Sequence, residues 1–187
     1  MDHYLDIRLL PDPEFPAPLL MSALFAKLHR ALVDYGGRDI GVSFPEVVPD
    51  KKMLGQRLRL HGNNSSLDRL MAIGWMQGMR DHVTITSVQP VPAGVQHRVV
   101  RRVQAKSSPE RLRRRLMARK SIDAETARTA IPDSAAEMLE LPYLEMGSRS
   151  TGQRFKLFIE HLKPVPTATP GPFGNYGLGT NATVPWF

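Results

Sequence analysis

The chain has 187 residues, with 25 Lys and Arg against 18 Asp and Glu, which gives a formal net charge of +7 at pH 7. An apolar content of 42% is enough for a folded core, and no apolar run is long enough to span a bilayer. Cysteine is absent, which excludes disulfides and thiolate metal sites. The N-terminal sequence MDHYLDIRLL lacks a basic region followed by an apolar segment, so we expect a cytoplasmic protein without a secretory signal.

The first ninety residues carry, in order, the patterns of a strand, a helix, two strands, a second helix and a strand. Apolar and polar residues alternate over residues 3–10, which predicts a strand. Leucines at helical spacing then predict a helix that ends at Gly36 and Gly37. The remaining expected elements are a strand around 40–44, a strand around 57–61, a helix after the N-cap candidates Ser65 and Ser66, and a strand over 83–87.

This β-α-β-β-α-β order is the split βαβ arrangement of ferredoxin-like folds. We therefore predict an α+β fold, with an N-terminal ferredoxin-like domain over residues 1–94. A smaller α/β C-terminal domain over residues 95–187 contains an arginine-rich helix. RNA-recognition modules share the N-terminal topology, and so do many enzymes and metal-binding domains. The aromatic motif of RNA-recognition modules is missing, so we expect any RNA contact away from the sheet face.

The C-terminal half combines short helices with a pair of strands. The expected elements are an extended segment over 95–104, a helix that begins at Pro109 after the N-cap Ser108, short helices over 123–131 and 133–139, and paired strands over 143–146 and 154–159. The tail over residues 164–187 is rich in proline and glycine but keeps four aromatic residues. Disordered tails rarely keep that many, so we expect this tail to pack on the body.

Positive charge is concentrated between Val95 and Lys120. This segment has ten Lys and Arg and a single acid, Glu110, so it carries +9, whereas the rest of the chain carries −2. A concentration of this kind indicates a polyanionic partner, and nucleic acid is the leading candidate.

The stretch SSPERLRRRLMARKS, at residues 107–121, predicts a helix with a basic face. At 100° per residue, one arc of roughly 140° takes five side chains, which are Arg111, Arg114, Arg115, Ala118 and Arg119. Solvated surface helices usually balance cations with acids at i+4 spacing, and here Glu110 is alone. A solvated helix stays an alternative, but the pattern favours nucleic acid.

Structured RNA suits this helix better than duplex DNA. Neither the helix-turn-helix nor the zinc-binding pattern of a major-groove DNA reader is present. Arg102 and Gln104 lie two residues apart in an extended segment, so we expect both to project from the same face. Arginine suits the guanine edge and glutamine suits the adenine edge.

Four motifs together resemble a known family. The run RRVQAKSSPERLRRRLMARK, the loop GSRSTGQRFKLFI, the helix KLHRALV and the ending YGL…VPWF are similar to those of the type I-F CRISPR-associated endoribonuclease. The resemblance covers essentially the whole chain. It implies metal-independent cleavage of repeat hairpins in precursor CRISPR RNA, by 2′-hydroxyl attack that leaves a 2′,3′-cyclic phosphate and a 5′-hydroxyl. It also implies an enzyme without a cofactor that stays bound to its product in the type I-F surveillance complex, and we expect the protein itself to be monomeric.

The resemblance also gives roles to single residues. It implies that His29 is the catalytic histidine, that Ser148 holds the attacking 2′-hydroxyl and that Tyr176 orients the histidine. The residues expected to contact RNA are Arg102, Gln104, Arg111, Arg114, Arg115, Arg119, Ser150, Thr151 and Phe155. Of these, Arg102 and Gln104 would read bases low in the stem. Phe155 would stack under the terminal base pair.

One position departs from the family pattern. Ala118 stands where the arginine-rich helix of the family commonly has arginine. The resemblance therefore implies one fewer phosphate contact in this chain, or compensation through Lys120.

The residues themselves leave structural alternatives open. No pair of the six histidines has metal-ligand spacing, and a histidine pKa near neutrality suits proton transfer. His29 borders an apolar stripe, so it also fits a half-buried helix histidine. Ser148 and Ser150 fit a polar turn, Tyr176 fits an anchor for the tail, and Phe155 fits a core strand.

Two other functions also stay open. A non-catalytic subunit would bind hairpin RNA through the same residues without cleaving it. A basic DNA-binding protein would bind duplex DNA as well as it binds the hairpin.

Overall fold

The computed structural model describes residues 1–104, 109–132, 139–147 and 152–187. The elements of these residues, in chain order, are β1 (His3–Leu9), α1 (Ala17–Tyr35), β2 (Gly41–Ser43), β3 (Arg57–Gly62), α2 (Asn64–Ala72), β4 (Val83–Ile85), β5 (Gln89–Pro90), β6 (Gln96–Val103), α3 (Pro109–Lys120), α4 (Ala124–Ala130), β7 (Tyr143–Gly147), β8 (Arg154–His161) and β9 (Thr183–Trp186). The α+β class predicted from the sequence is confirmed. None of the helices in these ranges has the length and apolar character that crossing a membrane requires.

The strands form two antiparallel sheets. One has the order β2-β3-β1-β4, and β5 pairs with the start of β1. The other has the order β7-β8-β6-β9. In the first sheet Leu5 lies opposite Leu60 and Ile7 lies opposite Leu58, and all four side chains are buried. The alternation that predicted these strands thus places one face of the sheet on the core.

Helix α1 packs against both sheets. Its apolar stripe, which includes Leu24, Phe25 and Leu28, is buried in the common core. Near its start, the Ser22 hydroxyl accepts a hydrogen bond of 3.1 Å from the main-chain N–H of Glu145 in β7. The helix ends as predicted at Gly36, which takes a left-handed conformation with φ of 70°.

The start of α2 differs from the prediction. Its N-cap is Asn63, whose side chain accepts a hydrogen bond of 2.7 Å from the N–H of Ser66. Ser65 and Ser66, the predicted N-caps, lie inside the first turn, so that prediction was wrong. The cap at Asn63 already satisfies a free N–H of that turn, which is the physical reason for the start at this residue.

The helices after β6 agree with the prediction where they are described. Helix α3 begins at Pro109, and Asp123 caps α4 by accepting a hydrogen bond of 2.7 Å from the N–H of Thr126. The predicted cap Ser108 and residues 133–138 of the predicted third helix lie outside the described residues.

The tail packs back on the body, as expected. Strand β9 pairs with β6, with Gln96 opposite Trp186, and Phe173 and Val184 are buried in the core. The N–H of Phe173 donates a hydrogen bond of 2.9 Å to the carbonyl of Arg38, just after α1. The loop between Phe173 and β9 therefore lies next to α1.

The chain forms two compact units. One comprises residues 1–103 and 141–187 and contains both sheets with α1 and α2. The other comprises residues 104–140 and contains α3 and α4. The division expected from the sequence, between residues 94 and 95, stays a prediction.

Candidate active site and nucleic-acid interface

His29 lies on α1 at the border between the buried stripe and the solvent, and its side chain is half-buried. Its imidazole stacks on the ring of Tyr176, with 4.0 Å between the ring centroids and 12° between the planes. Its Nδ1 donates a hydrogen bond of 2.9 Å to the main-chain carbonyl of Asn175. Within the described residues, Nε2 has no hydrogen-bond partner. The stacking contact and the hydrogen bond at Nδ1 together hold the ring in place.

The ring of Tyr176 joins this site to the core. It is half-buried and lies parallel to the ring of Phe25, with 6.3 Å between centroids and 4° between planes. Phe25 is fully buried on α1, one helical turn before His29. Tyr176 therefore anchors the tail and contacts the histidine with the same ring.

Arg102 and Phe155 complete the cluster from the second sheet. The guanidinium carbon of Arg102, on β6, lies 5.5 Å from the ring centroid of Tyr176 and 5.7 Å from that of Phe155. Both distances are in the range of cation–π contact. Arg102 is exposed, and Phe155 is half-buried at the start of β8. The structure thus brings together four predicted site residues, which are His29, Arg102, Phe155 and Tyr176.

The basic face predicted for α3 is exposed. All five of its side chains are exposed, which are Arg111, Arg114, Arg115, Ala118 and Arg119. Leu112 and Leu116 are half-buried, in agreement with the narrow apolar flank that the helical spacing gives them. The Nε of Arg113 donates a hydrogen bond of 2.6 Å to the carbonyl of Ile131 at the end of α4.

The other predicted RNA contacts are placed only in part. Gln104 directly follows β6, and its side chain is exposed. Ser148, Ser150 and Thr151 lie outside the described residues, so their roles stay predictions.

Two other histidines are in states unsuited to proton transfer near neutrality, since His61 is buried and His161 is half-buried with both ring nitrogens shielded from solvent. His61 is fully buried beside Ser43, with 2.8 Å between Nε2 and the hydroxyl oxygen, and burial lowers its pKa well below the ordinary value. Burial, with a smaller effect of the nearby Arg98, lowers the pKa of His161 to about 3. Both imidazoles are therefore neutral at physiological pH, and neither lies in the His29 cluster.

The family model of the CRISPR-associated protein (Cas_Csy4) matches residues 4–187. The chain belongs to this Csy4 family. The CRISPR-associated endonuclease Cas6/Csy4 of Pseudomonas aeruginosa (strain UCBPP-PA14) is 53% identical over 187 residues, which are 100% of both chains. The protein of the same name from Escherichia coli (strain UTI89 / UPEC) is 48% identical, also over 187 residues and 100% of both chains. The resemblance drawn from the four motifs is thereby confirmed.

Metal ligands were not expected in this Csy4 family member. In the described ranges, no three His, Asp or Glu side chains are grouped so that they could hold a metal ion. That the reaction needs no metal stays a prediction.

Sequence reasoning missed the part that the backbone plays in this Csy4 site. The carbonyl of Asn175 binds the histidine, and a main-chain acceptor has no residue-type signature. The signal that could have indicated a tight turn here is the pair of glycines, Gly174 and Gly177, on either side of Tyr176.

Proposed function

We propose that this chain is an endoribonuclease that cleaves the repeat hairpins of precursor CRISPR RNA. The observation that carries the proposal is the stacked pair of His29 and Tyr176 beside the exposed cation of Arg102. Such an arrangement offers a proton acceptor next to a group that attracts phosphate or a base edge. The names of both relatives, CRISPR-associated endonucleases, support the same activity.

In the proposed reaction, the 2′-hydroxyl upstream of the scissile phosphate gives its proton to Nε2 of His29. The 2′-oxygen attacks the phosphorus, and the bond from phosphorus to the 5′-oxygen of the next nucleotide breaks. That oxygen takes up a proton, so the products are a 2′,3′-cyclic phosphate and a 5′-hydroxyl, with no net change in protons. We propose that Ser148 positions the 2′-hydroxyl, and that Ser150 and Thr151 contact the scissile region.

Three kinds of contact bind the hairpin in this proposal. The exposed face of α3 supplies cations for the phosphates, through Arg111, Arg114, Arg115 and Arg119. Arg102 and Gln104 read base edges low in the stem. Phe155 stacks under the terminal base pair, a type of contact that contributes about 1–3 kcal/mol per base.

The proposal also covers the fold of the N-terminal domain, the part of the chain that binds RNA, the localisation and the partner subunits. The chain order β1-α1-β2-β3-α2-β4 and the strand order β2-β3-β1-β4 support a ferredoxin-like fold for residues 1–94. We assign RNA binding mainly to residues 95–187. The protein acts as a cytoplasmic monomer, keeps its product and joins the subunits of the type I-F surveillance complex.

Incubation with a cognate repeat hairpin in EDTA tests the activity and its metal independence together. We expect a product that ends in a 2′,3′-cyclic phosphate, and a 2′-deoxy nucleotide at the cleavage site should block cleavage but not binding. If no cognate hairpin is cleaved, the function is that of a non-catalytic hairpin-binding subunit. Equal affinity for duplex DNA would instead favour a DNA-binding protein.

The variant His29→Ala tests the assignment of the catalytic residue. We expect it to abolish cleavage while the dissociation constant for the hairpin changes by less than about threefold, because the substitution removes proton transfer rather than binding. The matched control is His3→Ala, since His3 lies at the start of β1 and pairs with Asp2. A large loss of affinity in His29→Ala would contradict the catalytic role.

A further inference from the structure

The loop that contains Asn175 and Tyr176 is fixed to the first sheet by a main-chain hydrogen bond and has two more inside it. The N–H of Val42, in β2, donates to the carbonyl of Gly177 over 2.8 Å. Inside the loop, the N–H of Gly177 donates to the carbonyl of Gly174 over 2.8 Å, and that of Gly174 donates to Leu178 over 3.0 Å. The hydrogen bond to β2, the strand at the edge of the first sheet, therefore fixes the position of the loop together with the ring of Tyr176.

Position 177 accepts only glycine at this distance from the sheet. Gly177 has φ of +66°, in the left-handed region that side chains rarely adopt. A Cβ atom there would lie 2.3 Å from Cγ2 of Val42 and 3.4 Å from Cδ1 of Leu32. Both neighbours are buried in the core and cannot move aside freely. Any larger residue must therefore lift the loop from β2.

The hydrogen bond from His29 to this loop determines where the histidine proton lies. A carbonyl oxygen can only accept, so Nδ1 of His29 must carry the hydrogen in its contact of 2.9 Å with Asn175. In the neutral imidazole the lone pair is then on Nε2. This is the nitrogen without a partner among the described residues.

We propose that Gly177 is a positioning residue. It sets the tautomer of His29 because it allows the Asn175 carbonyl to lie within hydrogen-bond distance of the His29 Nδ1. The contact between Gly177 and Val42 holds the loop close to α1, and the carbonyl then keeps the proton on Nδ1 and the proton-accepting nitrogen outward. The tautomer itself is a property of the free protein, whereas its consequence for cleavage rests on the proposed function.

Nitrogen-15 NMR of the free protein, labelled at histidine, tests the tautomer without RNA. The wild-type His29 signal, assigned by its disappearance in His29→Ala, should show a protonated Nδ1 and an unprotonated Nε2 when the imidazole is neutral. In Gly177→Ala the two nitrogens should move toward an average of both tautomers. In single-turnover cleavage the same variant should lose at least tenfold in rate, with the hairpin dissociation constant nearly unchanged.

Two controls separate this role from a general loss of stability. Gly94 also has a left-handed φ, of +73°, but a Cβ there would meet no atom within 4 Å, so Gly94→Ala should keep both tautomer and rate. The double variant Val42→Ala/Gly177→Ala lacks the Cγ2 atom that makes the closest clash. It should therefore recover part of the wild-type tautomer of His29 and part of the cleavage rate.

The proposal is overturned if wild-type His29 carries its proton on Nε2, or if Gly177→Ala keeps the wild-type tautomer and rate. It is also overturned if the double variant folds but recovers neither the wild-type tautomer nor the cleavage rate. A wild-type protein with the expected tautomer that cleaves no hairpin would refute the proposed function and leave the positioning role standing.

Discussion

The imidazole of His29 lies flat against the ring of Tyr176, with 4.0 Å between the centroids and 12° between the planes. The two residues come from α1 and from the loop before β9, so the pair exists only when the tail is folded on the body. Because Tyr176 also lies parallel to the buried Phe25, the core itself determines how the histidine ring is oriented. Stability of the tail and competence of the site are therefore linked.

The first prediction concerns the ring of Tyr176. Its hydroxyl makes no hydrogen bond within the described residues, so the contact with His29 is made by the aromatic face. We expect Tyr176→Phe to cleave at nearly the wild-type rate. Tyr176→Leu should lose about tenfold in rate, because a stacked aromatic pair contributes about 0.5–1.5 kcal/mol to the orientation of the imidazole. Single-turnover cleavage rates, with hairpin affinity measured in parallel, check the difference. Equal loss in both variants would mean that the hydroxyl acts in the reaction.

The second prediction concerns the exposed arginines of α3. Replacement of Arg114, Arg115 or Arg119 by Ala should weaken hairpin binding and reduce the slope of log Kd against log salt by about one for each arginine that binds a phosphate. Arg128 is a matched control, since it is exposed on the neighbouring α4 but outside the basic face. Filter binding over a range of salt concentrations measures the slopes. Slopes that do not change in the α3 variants would contradict a phosphate-binding role for this face.

A gain of hairpin affinity can be tested on the same helix. Ala118 is exposed on the basic face, at the position where the resemblance implies an arginine. We expect Ala118→Arg to tighten hairpin binding and to steepen the salt dependence by about one, without change in the rate of cleavage of bound RNA. An unchanged slope would show that this position does not reach a phosphate.

Alternation and helical spacing predicted most elements because their apolar side chains recur on one face, even where strands such as β2 and β3 are buried on both faces. In β8, Leu157 and Ile159 are buried and Lys156 is exposed, as the alternation indicates, although Phe158 on the other face is buried too. The start of α2 could not be predicted in the same way. Residues 63–66 read NNSS, four good caps in succession, and only the backbone conformation distinguishes the one that acts.

The site could not be assembled from spacing alone. His29 and the carbonyl that binds it are 146 residues apart, and nothing local in either segment indicates the other. The motifs supplied the proposed roles of His29 and Tyr176, whereas the fold supplied their contact. Likewise, helical spacing placed Arg113 away from the basic face, but its hydrogen bond to Ile131 depends on how α4 packs.

The last prediction is a loss of stability in acid that originates at His161. Its imidazole lies at the edges of Phe44 and Trp186, and neither ring nitrogen has a hydrogen-bond partner in the described part of the chain. Burial lowers its pKa to about 3, whereas the unfolded chain has a histidine pKa of about 6.5. The unfolded state therefore binds the proton more readily. Stability should be full above about pH 6.5 and fall as the pH drops toward 3, by up to about 1.4 kcal/mol per pH unit from this residue.

Urea denaturation of wild type and His161→Leu, at pH 7.5 and pH 5, checks this assignment. Leucine fits an apolar site where the imidazole makes no hydrogen bond within the described residues, so we expect the variant to lose much less free energy of unfolding between the two pH values. A residual loss should remain, because burial also lowers the pKa of His61. The control His3→Gln changes a histidine that is paired at the surface and should keep the wild-type pH dependence. If His161→Leu also keeps the wild-type pH dependence, the loss of stability in acid originates at other residues.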